Sequence, residues 1–408
     1  MNHELSSFAA RLREAIHGRD AALRRPVGAA RRPYPELKFD SLALELFALQ
    51  FQHNTAYRKI CEARGLTPGI VEHWTQIPAV PTSAFKELEL SCIPPEERDT
   101  VFHSSGTTGQ EPSRHYHCRE SLKVYQASLS TWFLANVLPD LRFTIYDLRL
   151  LCLTPPPEQA PHSSLVHMFE AVRQKIGAVE PAFVGEIAPD GSWALDFDAA
   201  PAALADNSKL KTQNPKLILG TAFSFVHLLD FLGEHHLRFQ LPPGSRVMET
   251  GGYKNRSRSM PKEELHALIT ERLGVPPENI VCEYGMSELS SQAYAPGAPA
   301  SSRRVFTGAT KRPAGWKPAL PVPLHFPPWA RVQLISPETG REVTNGETGL
   351  IRIFDLANVF SVLAVQTEDL GIRRGDGFEL LGRSPLAEPR GCSLMSHSEL
   401  RTPHAALK

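Results

Sequence analysis

The chain has 408 residues, with 44 Lys and Arg against 44 Asp and Glu, so its formal charge balances at zero. That balance lacks the basic footprint of a nucleic-acid binder, so no nucleic-acid partner is expected, and the length predicts one large lobed domain or two domains with ample buried core. Six cysteines stand at positions 61, 92, 118, 152, 282 and 392 with no C-x-x-C pair, which argues against a disulfide framework or a zinc site and for a reducing, cytoplasmic setting.

In chain order, Glu4, Arg11, Arg13 and Glu14 interrupt the apolar core that a signal peptide needs. Residues 1–33 are polar and rich in arginine (Arg11, Arg13, Arg19, Arg24, Arg25, Arg31, Arg32) and read as a surface helix and linker, a solvated arm. From Phe39 to Glu62 apolar residues recur at helical spacing (Leu42, Leu44, Leu46, Phe47, Leu49, Phe51). Trp74 to Glu87 is irregular and punctuated by Pro78 and Pro81. Short apolar runs at Leu148–Leu153, Lys216–Leu219 and Ser245–Met248 then alternate with helical runs at Ser121–Ala135, Leu165–Ile176, Phe223–His235 and Pro261–Leu273. That alternation predicts an α/β architecture with largely parallel sheets. Leu217 to Leu232, the most apolar long stretch, is short for a bilayer span and carries His227 and Asp230, so no membrane span is expected. Lys311–Trp329 is rich in proline and reads as a surface excursion; Arg331–Ile335 and Gly349–Phe354 read as strands of a β-meander.

The chemistry concentrates in a few strings. Phe102 to Gly109 reads F-H-S-S-G-T-T-G, in which Ser104, Ser105, Gly106, Thr107, Thr108 and Gly109 supply hydroxyls and close-approach backbone suited to a polyphosphate. It is not a Walker A loop, since no G-x-x-x-x-G-K-[ST] occurs. Glu249 to Tyr253 reads E-T-G-G-Y after a strand-like run, and Gly251 and Gly252 would let a flat ring lie against backbone, with Tyr253 beside it. Cys282 to Glu288 reads C-E-Y-G-M-S-E: Tyr284 can cover an adenine, Gly285 permits close approach, Ser287 can bond phosphate, and Glu288 can hold Mg2+ as a hard oxygen ligand. In the tail, R-G-C-S-L sets Cys392 beside Arg390, a neighbour that favours the thiolate.

The hydroxyl–glycine loop and Y-G-x-[ST]-E resemble the adenylate-forming superfamily, which joins a carboxylate to AMP from ATP. Thr367, Glu368 and Asp369 resemble its T-G-D string, with Glu368 where glycine is usual, and Gly382–Arg383 resemble the start of its G-R-x-x-D motif, with Leu386 where Asp is usual. The resemblance covers residues 40–395 and implies that Asp369 binds the ribose hydroxyls and Arg383 the nucleotide. The fold it implies is the large N-terminal domain of that superfamily: mostly parallel sheets flanked by helices, plus a small β-meander or barrel. Residues 1–38 would be an arm, 39–382 the large domain and 383–408 a tail in place of the superfamily's small C-terminal domain and its catalytic lysine. The lysine usual after the first loop is also absent, leaving Arg114 as the nearest cation.

The shortened domain, the R-G-C-S tail, P-A-V-P-T-S-A-F-K (Pro78–Lys86) and H-S-S-L (His162–Leu165) resemble the LuxE-type acyl-protein synthetases. That resemblance implies ATP-dependent activation of a carboxylic acid, fatty or other, with Mg2+ at Glu288, and transfer of the acyl group to Cys392. From there it would pass to a partner protein, a reductase or carrier, or to coenzyme A. The acid pocket is assigned to Gly220–Phe225. Two other readings stand: an acyltransferase working from acyl-CoA through Cys392 without adenylation, and a non-catalytic nucleotide-binding scaffold.

Overall fold

In the computed structural model, residues 2–23, 37–104, 111–139, 148–178, 183–189, 191–205, 214–251, 260–297 and 322–384 are described. Asn2 caps the first helix, α1 (His3–Leu23), its side chain accepting from Glu4 N at 2.8 Å. The helix forms where it was expected, but it is not a solvated arm. Leu5, Phe8, Ala9, Leu12 and Ile16 are buried, an i, i+3, i+4 stripe that the surrounding arginines mask in the composition.

The periodic run after Phe39 divides into α2 (Phe39–His53) and α3 (Thr55–Ala63). Asn54 makes the break: its extended backbone leaves the helix, and its side chain accepts from Tyr57 N at 3.0 Å to cap the next one. The proline-punctuated stretch that follows contains the two-residue strand β1 (Val80–Pro81) and α4 (Ala84–Glu87). The hairpin β2 (Thr100–His103) and β3 (Arg114–His117) flanks the hydroxyl–glycine loop and leads into α5 (Arg119–Val137), on which α1 packs.

Next come β4 (Arg149–Cys152), α6 (Ser164–Ile176), the small pair β5 (Gly185–Ile187) and β6 (Trp193–Leu195), α7 (Ala199–Leu204), β7 (Lys216–Thr221), α8 (Ala222–Glu234), β8 (Arg246–Thr250), α9 (Lys262–Leu273), β9 (Ile280–Tyr284) and β10 (Ala293–Ala295). Strands β4, β7, β8 and β9 are parallel and β10 closes the edge antiparallel, in the order β10-β9-β8-β7-β4. Both faces of this sheet are covered, so β7 and β9 are buried end to end. Ile218, Val247 and Ile280 pack with Phe225, Leu265 and Ile269 of α8 and α9; Leu217, Met248 and Val281 pack with Leu129 and Phe169 of α5 and α6.

A second sheet holds β11 (Ala330–Ile335), β12 (Thr348–Asp355), β13 (Ala364–Arg374) and β14 (Gly377–Arg383), antiparallel to one another, with β1 added parallel to β13. The expected meander is present and stays open; the described residues form no closed barrel. Its core includes Trp74, edge-on to Phe354 at 4.8 Å and to Phe39 at 5.5 Å. Buried Gln50 of α2 clamps this region. Its amide donates to Asn358 O at 2.7 Å and Val359 O at 3.2 Å, and its carbonyl accepts from Leu363 N at 2.8 Å. Asn54 adds a bond to Ser361 O at 3.2 Å.

Candidate active site

The parallel strands deliver the sequence-assigned residues to their carboxyl ends, the usual ligand edge of such a sheet. Gly251 follows β8 with φ 79°, a left-handed conformation that favours glycine. Tyr284 ends β9 one strand over, and Gly285 follows. A Cβ on Gly285 would stand 2.4 Å from Glu283 Oε1, so any larger residue there would have to displace that carboxyl. Thr250 and Glu283 are register partners, and the threonine hydroxyl donates to the carboxyl. Burial pushes Glu283 up to about 7 against that hydrogen bond.

Tyr284 Oη donates to Asp369 Oδ2 at 2.9 Å. Burial, then the Asp369 charge, hold the phenol far above its ordinary range, so it remains a donor. Asp369 and Arg383 face each other across β13 and β14, with Arg383 Nε 3.6 Å from Asp369 Oδ1 and Nη1 3.7 Å from Glu368 Oε2. Tyr284, Asp369 and Arg383 therefore lie together, although their strings are far apart in the chain.

A second group forms at the neck of the loop. Ser104 Oγ accepts from Ser113 N at 2.9 Å, and Ser104 N donates to Ser113 O at 3.3 Å. The Ser113 hydroxyl lies 3.4 Å from that of Ser287, which donates to Glu288 Oε2 at 3.0 Å. His115 Nδ1 donates to Ser287 O at 2.8 Å and Asn358 Nδ2 to Glu288 O at 2.9 Å, so this corner is held from β3 and from the turn after β12. Arg114, opposite His103 in the hairpin, donates to Lys86 O at 2.9 Å. The His103 ring stacks on His162 at 4.7 Å, and burial, with His162 and Arg114 adding to it, depresses its pKa.

Ser105, Gly106, Thr107, Thr108, Gly109, Gly252, Tyr253 and Cys392 lie outside the described residues. The Gly220–Phe225 stretch is the end of β7 and the start of α8. Its Thr221 Oγ1 caps the helix by accepting from Ser224 N at 3.0 Å, and Phe225 is fully buried. In H-S-S-L, Ser163 likewise caps α6, accepting from Val166 N at 3.3 Å.

The profile of the family described as "Acyl-protein synthetase, LuxE" matches residues 35–296. The chain belongs to this LuxE acyl-protein synthetase family. A long-chain-fatty-acid–luciferin-component ligase of Vibrio harveyi is 24% identical over 359 residues, covering 85% of this chain and 84% of its own length. The Aliivibrio fischeri protein of the same name is 22% identical over 368 residues, with 87% and 86% covered. Among solved structures, a 2-hydroxyisobutyryl-CoA ligase in its postadenylation state, in complex with 2-HIB-AMP, matches with a TM-score of 0.58 at 15% identity, over 88% of this chain and 72% of that one. An open conformation of that ligase, in complex with 2-HIB-AMP and CoA, matches at 0.56 and 15%, over 88% and 80%. The likeness is one of fold, and the fold is the adenylate-forming one expected. Among the described residues no helix is long and apolar enough to cross a membrane.

Sequence reasoning passed over Ser113, His115, Asn358 and Glu283. Glu283 stands inside the C-E-Y-G-M-S-E string, where a carboxylate directly before the tyrosine on a buried strand was a readable signal. The other three act across long sequence separations, and no local pattern marks them.

Proposed function

We propose that this chain activates a carboxylic acid with ATP as the acyl-adenylate and passes the acyl group to a thiol, Cys392 and then a partner protein. The observation that carries the proposal is the bond from Tyr284 Oη to Asp369 Oδ2, 85 residues away, with Arg383 on the same carboxylate. Two strings assigned separately to adenine and to ribose meet there, next to the Ser287–Glu288 corner assigned to phosphate.

In the first half-reaction a carboxylate oxygen attacks the α-phosphorus of ATP and the bond to pyrophosphate breaks. Positioning and charge neutralisation supply most of such catalysis. Asp369 accepts from the ribose hydroxyls, and Tyr284, with Gly251, Gly252 and Tyr253, frames the adenine. Ser104 to Gly109 and Ser287 hold the phosphates, and Arg114 and Arg383 offset their charge. Glu288, with the Ser287 hydroxyl beside it, offers oxygen donors only, and such donors fit Mg2+, which takes one or two carboxylates plus substrate phosphates. Bound there, Mg2+ would supply further neutralisation of phosphate charge. In the second half-reaction the Cys392 thiolate attacks the acyl carbonyl carbon, the thioester forms, and AMP leaves with the oxygen. The final acceptor is a reductase, a carrier protein or coenzyme A. The division into residues 1–38, 39–382 and 383–408 belongs to this proposal, with α1 as a packed helix.

The curated relatives are ligases for long-chain fatty acids, so long-chain acids lead the test panel. The protein is incubated with ATP, Mg2+ and fatty, aryl and short-chain acids, pyrophosphate is measured, and intact mass is recorded. The expected result is acid-dependent pyrophosphate and a hydroxylamine-labile acyl adduct that the Cys392→Ser variant lacks. No pyrophosphate across the panel overturns adenylation; an adduct formed only from acyl-CoA supports the relay acyltransferase.

A further inference from the structure

Beneath the E-T-G-G-Y string lies a cluster that the adenylation chemistry does not use. Glu249 and Cys282 are register partners on β8 and β9, so their side chains stand next to each other on the sheet face that α9 covers. His266, in the second turn of α9, descends onto them. Its Nε2 lies 3.3 Å from Glu249 Oε1 and 3.7 Å from Cys282 Sγ. All three residues are buried, at 5% exposed for Glu249, 2% for His266 and 6% for Cys282. One oxygen, one nitrogen and one sulfur converge within 4.8 Å of one another.

The spacing fits either of two explanations. An N–H···O bond usually spans 2.7–3.2 Å, and the single hydrogen on Nε2 cannot serve both neighbours. A tetrahedral zinc with bonds of about 2.3 Å to sulfur and about 2.0–2.1 Å to nitrogen and oxygen sets edges of roughly 3.5 Å for N···S and roughly 3.3 Å for N···O. The observed N···O separation of 3.3 Å and N···S separation of 3.7 Å lie close to those edges. Among the described residues His266 Nδ1 has no hydrogen-bond partner, so the polar interactions of the ring seen there run through Nε2.

We propose that Glu249, His266 and Cys282 bind one zinc ion, joining β8, β9 and α9 beneath the nucleotide edge of the sheet. Thiolate and imidazole select a borderline-soft ion over Mg2+, and thiolate plus carboxylate balance its charge. The absence of any C-x-x-C pair hides the site in the sequence, because its ligands come from two strands and a helix. The rival is a hydrogen-bonded cluster in which Lys262, one turn earlier on α9, hydrogen-bonds Cys282 and balances the carboxylate and thiol.

The site does not depend on the adenylation proposal, and its test uses no turnover. Untagged protein is analysed for metals by plasma mass spectrometry; chelator-treated protein is then titrated with Co2+ and its spectrum recorded. The expected result is about one zinc per chain, and a thiolate-to-cobalt charge-transfer band that saturates at the same ratio. The band should be absent in Cys282→Ser and weakened at least tenfold in apparent affinity in His266→Ala. Chelator-treated wild-type protein with native circular dichroism and no thiolate–cobalt band overturns the proposal, whether or not the variants fold. So does a band that persists in folded Cys282→Ser protein.

Discussion

Replacing Phe8 by alanine tests whether α1 belongs to the folded body or hangs from it. Phe8 is 1% exposed and sits in the stripe with Leu5, Leu12 and Ile16. Removing a buried phenyl ring in such a setting costs about 3–5 kcal/mol, as lost transfer free energy plus the cavity left behind. Against a typical total stability of about 5–15 kcal/mol, that is a large fraction. A 4 kcal/mol loss lowers the folded-to-unfolded ratio by roughly a thousandfold. Urea unfolding followed by circular dichroism reads it as a drop in midpoint at unchanged slope. The control is Arg11→Ala: Arg11 pairs with Glu45 at 51% and 40% exposure and lies 5.5 Å from the Phe8 ring centre, contacts worth about 1 kcal/mol each at most at such exposure. Equal and small losses from both variants, within about 0.5 kcal/mol, would refute the packing argument and restore the solvated arm.

Three further outcomes follow from the site and its supports. Burial, with His115 and His167 adding to it, holds His117 neutral and well below its ordinary 6.5. The unfolded chain therefore takes up a proton that the folded protein refuses: stability is fully present above 6.5 and declines as pH falls below it. His117→Phe keeps a ring against Phe102 and should flatten that decline in urea midpoints; an unchanged acid slope counts against the assignment. Gly285→Ala must push the buried Glu283 carboxyl out of its place beside Thr250 and should cost about 1–3 kcal/mol, with pyrophosphate release slowed as well; a thermal midpoint and rate equal to wild type would show that the carboxyl moves aside freely. Asp369→Asn removes the charge shared by Tyr284 and Arg383, and loss of a charged hydrogen bond of about 1.5–3 kcal/mol should weaken nucleotide binding more than tenfold. Calorimetry with a non-hydrolysable ATP analogue checks this, and unaltered affinity would remove Asp369 from the ribose site.

The parallel strands were legible because burial on both faces leaves continuous apolar runs such as Lys216–Leu219, and the site strings were legible because each packs its chemistry into a few consecutive residues. The division of α2 from α3 was not, because apolar spacing continues across Asn54 and only its side-chain cap ends the helix. The burial of α1 was hidden by arginines interspersed among its apolar residues, one of which, Arg11, lies over the Phe8 ring itself. The Ser287 corner depends on His115, 172 residues away, and a pairing at that distance leaves no periodic trace in a single sequence.

Gln50 carries a consequence for how the chain is made. Its amide is completed by Asn358, 308 residues downstream, and β1 finds its ladder partner only at Val365 and Gln366. A ribosome that has released α2 must add about 300 more residues before these groups are satisfied. Until then Gln50 and Asn54, with the apolar faces around them, stay wet and open to wrong partners. Early stalling or truncation therefore leaves α2 without the wall that Gln50 and Asn54 pack against. A nascent chain of this protein should engage holding chaperones until the strand containing Val365 emerges.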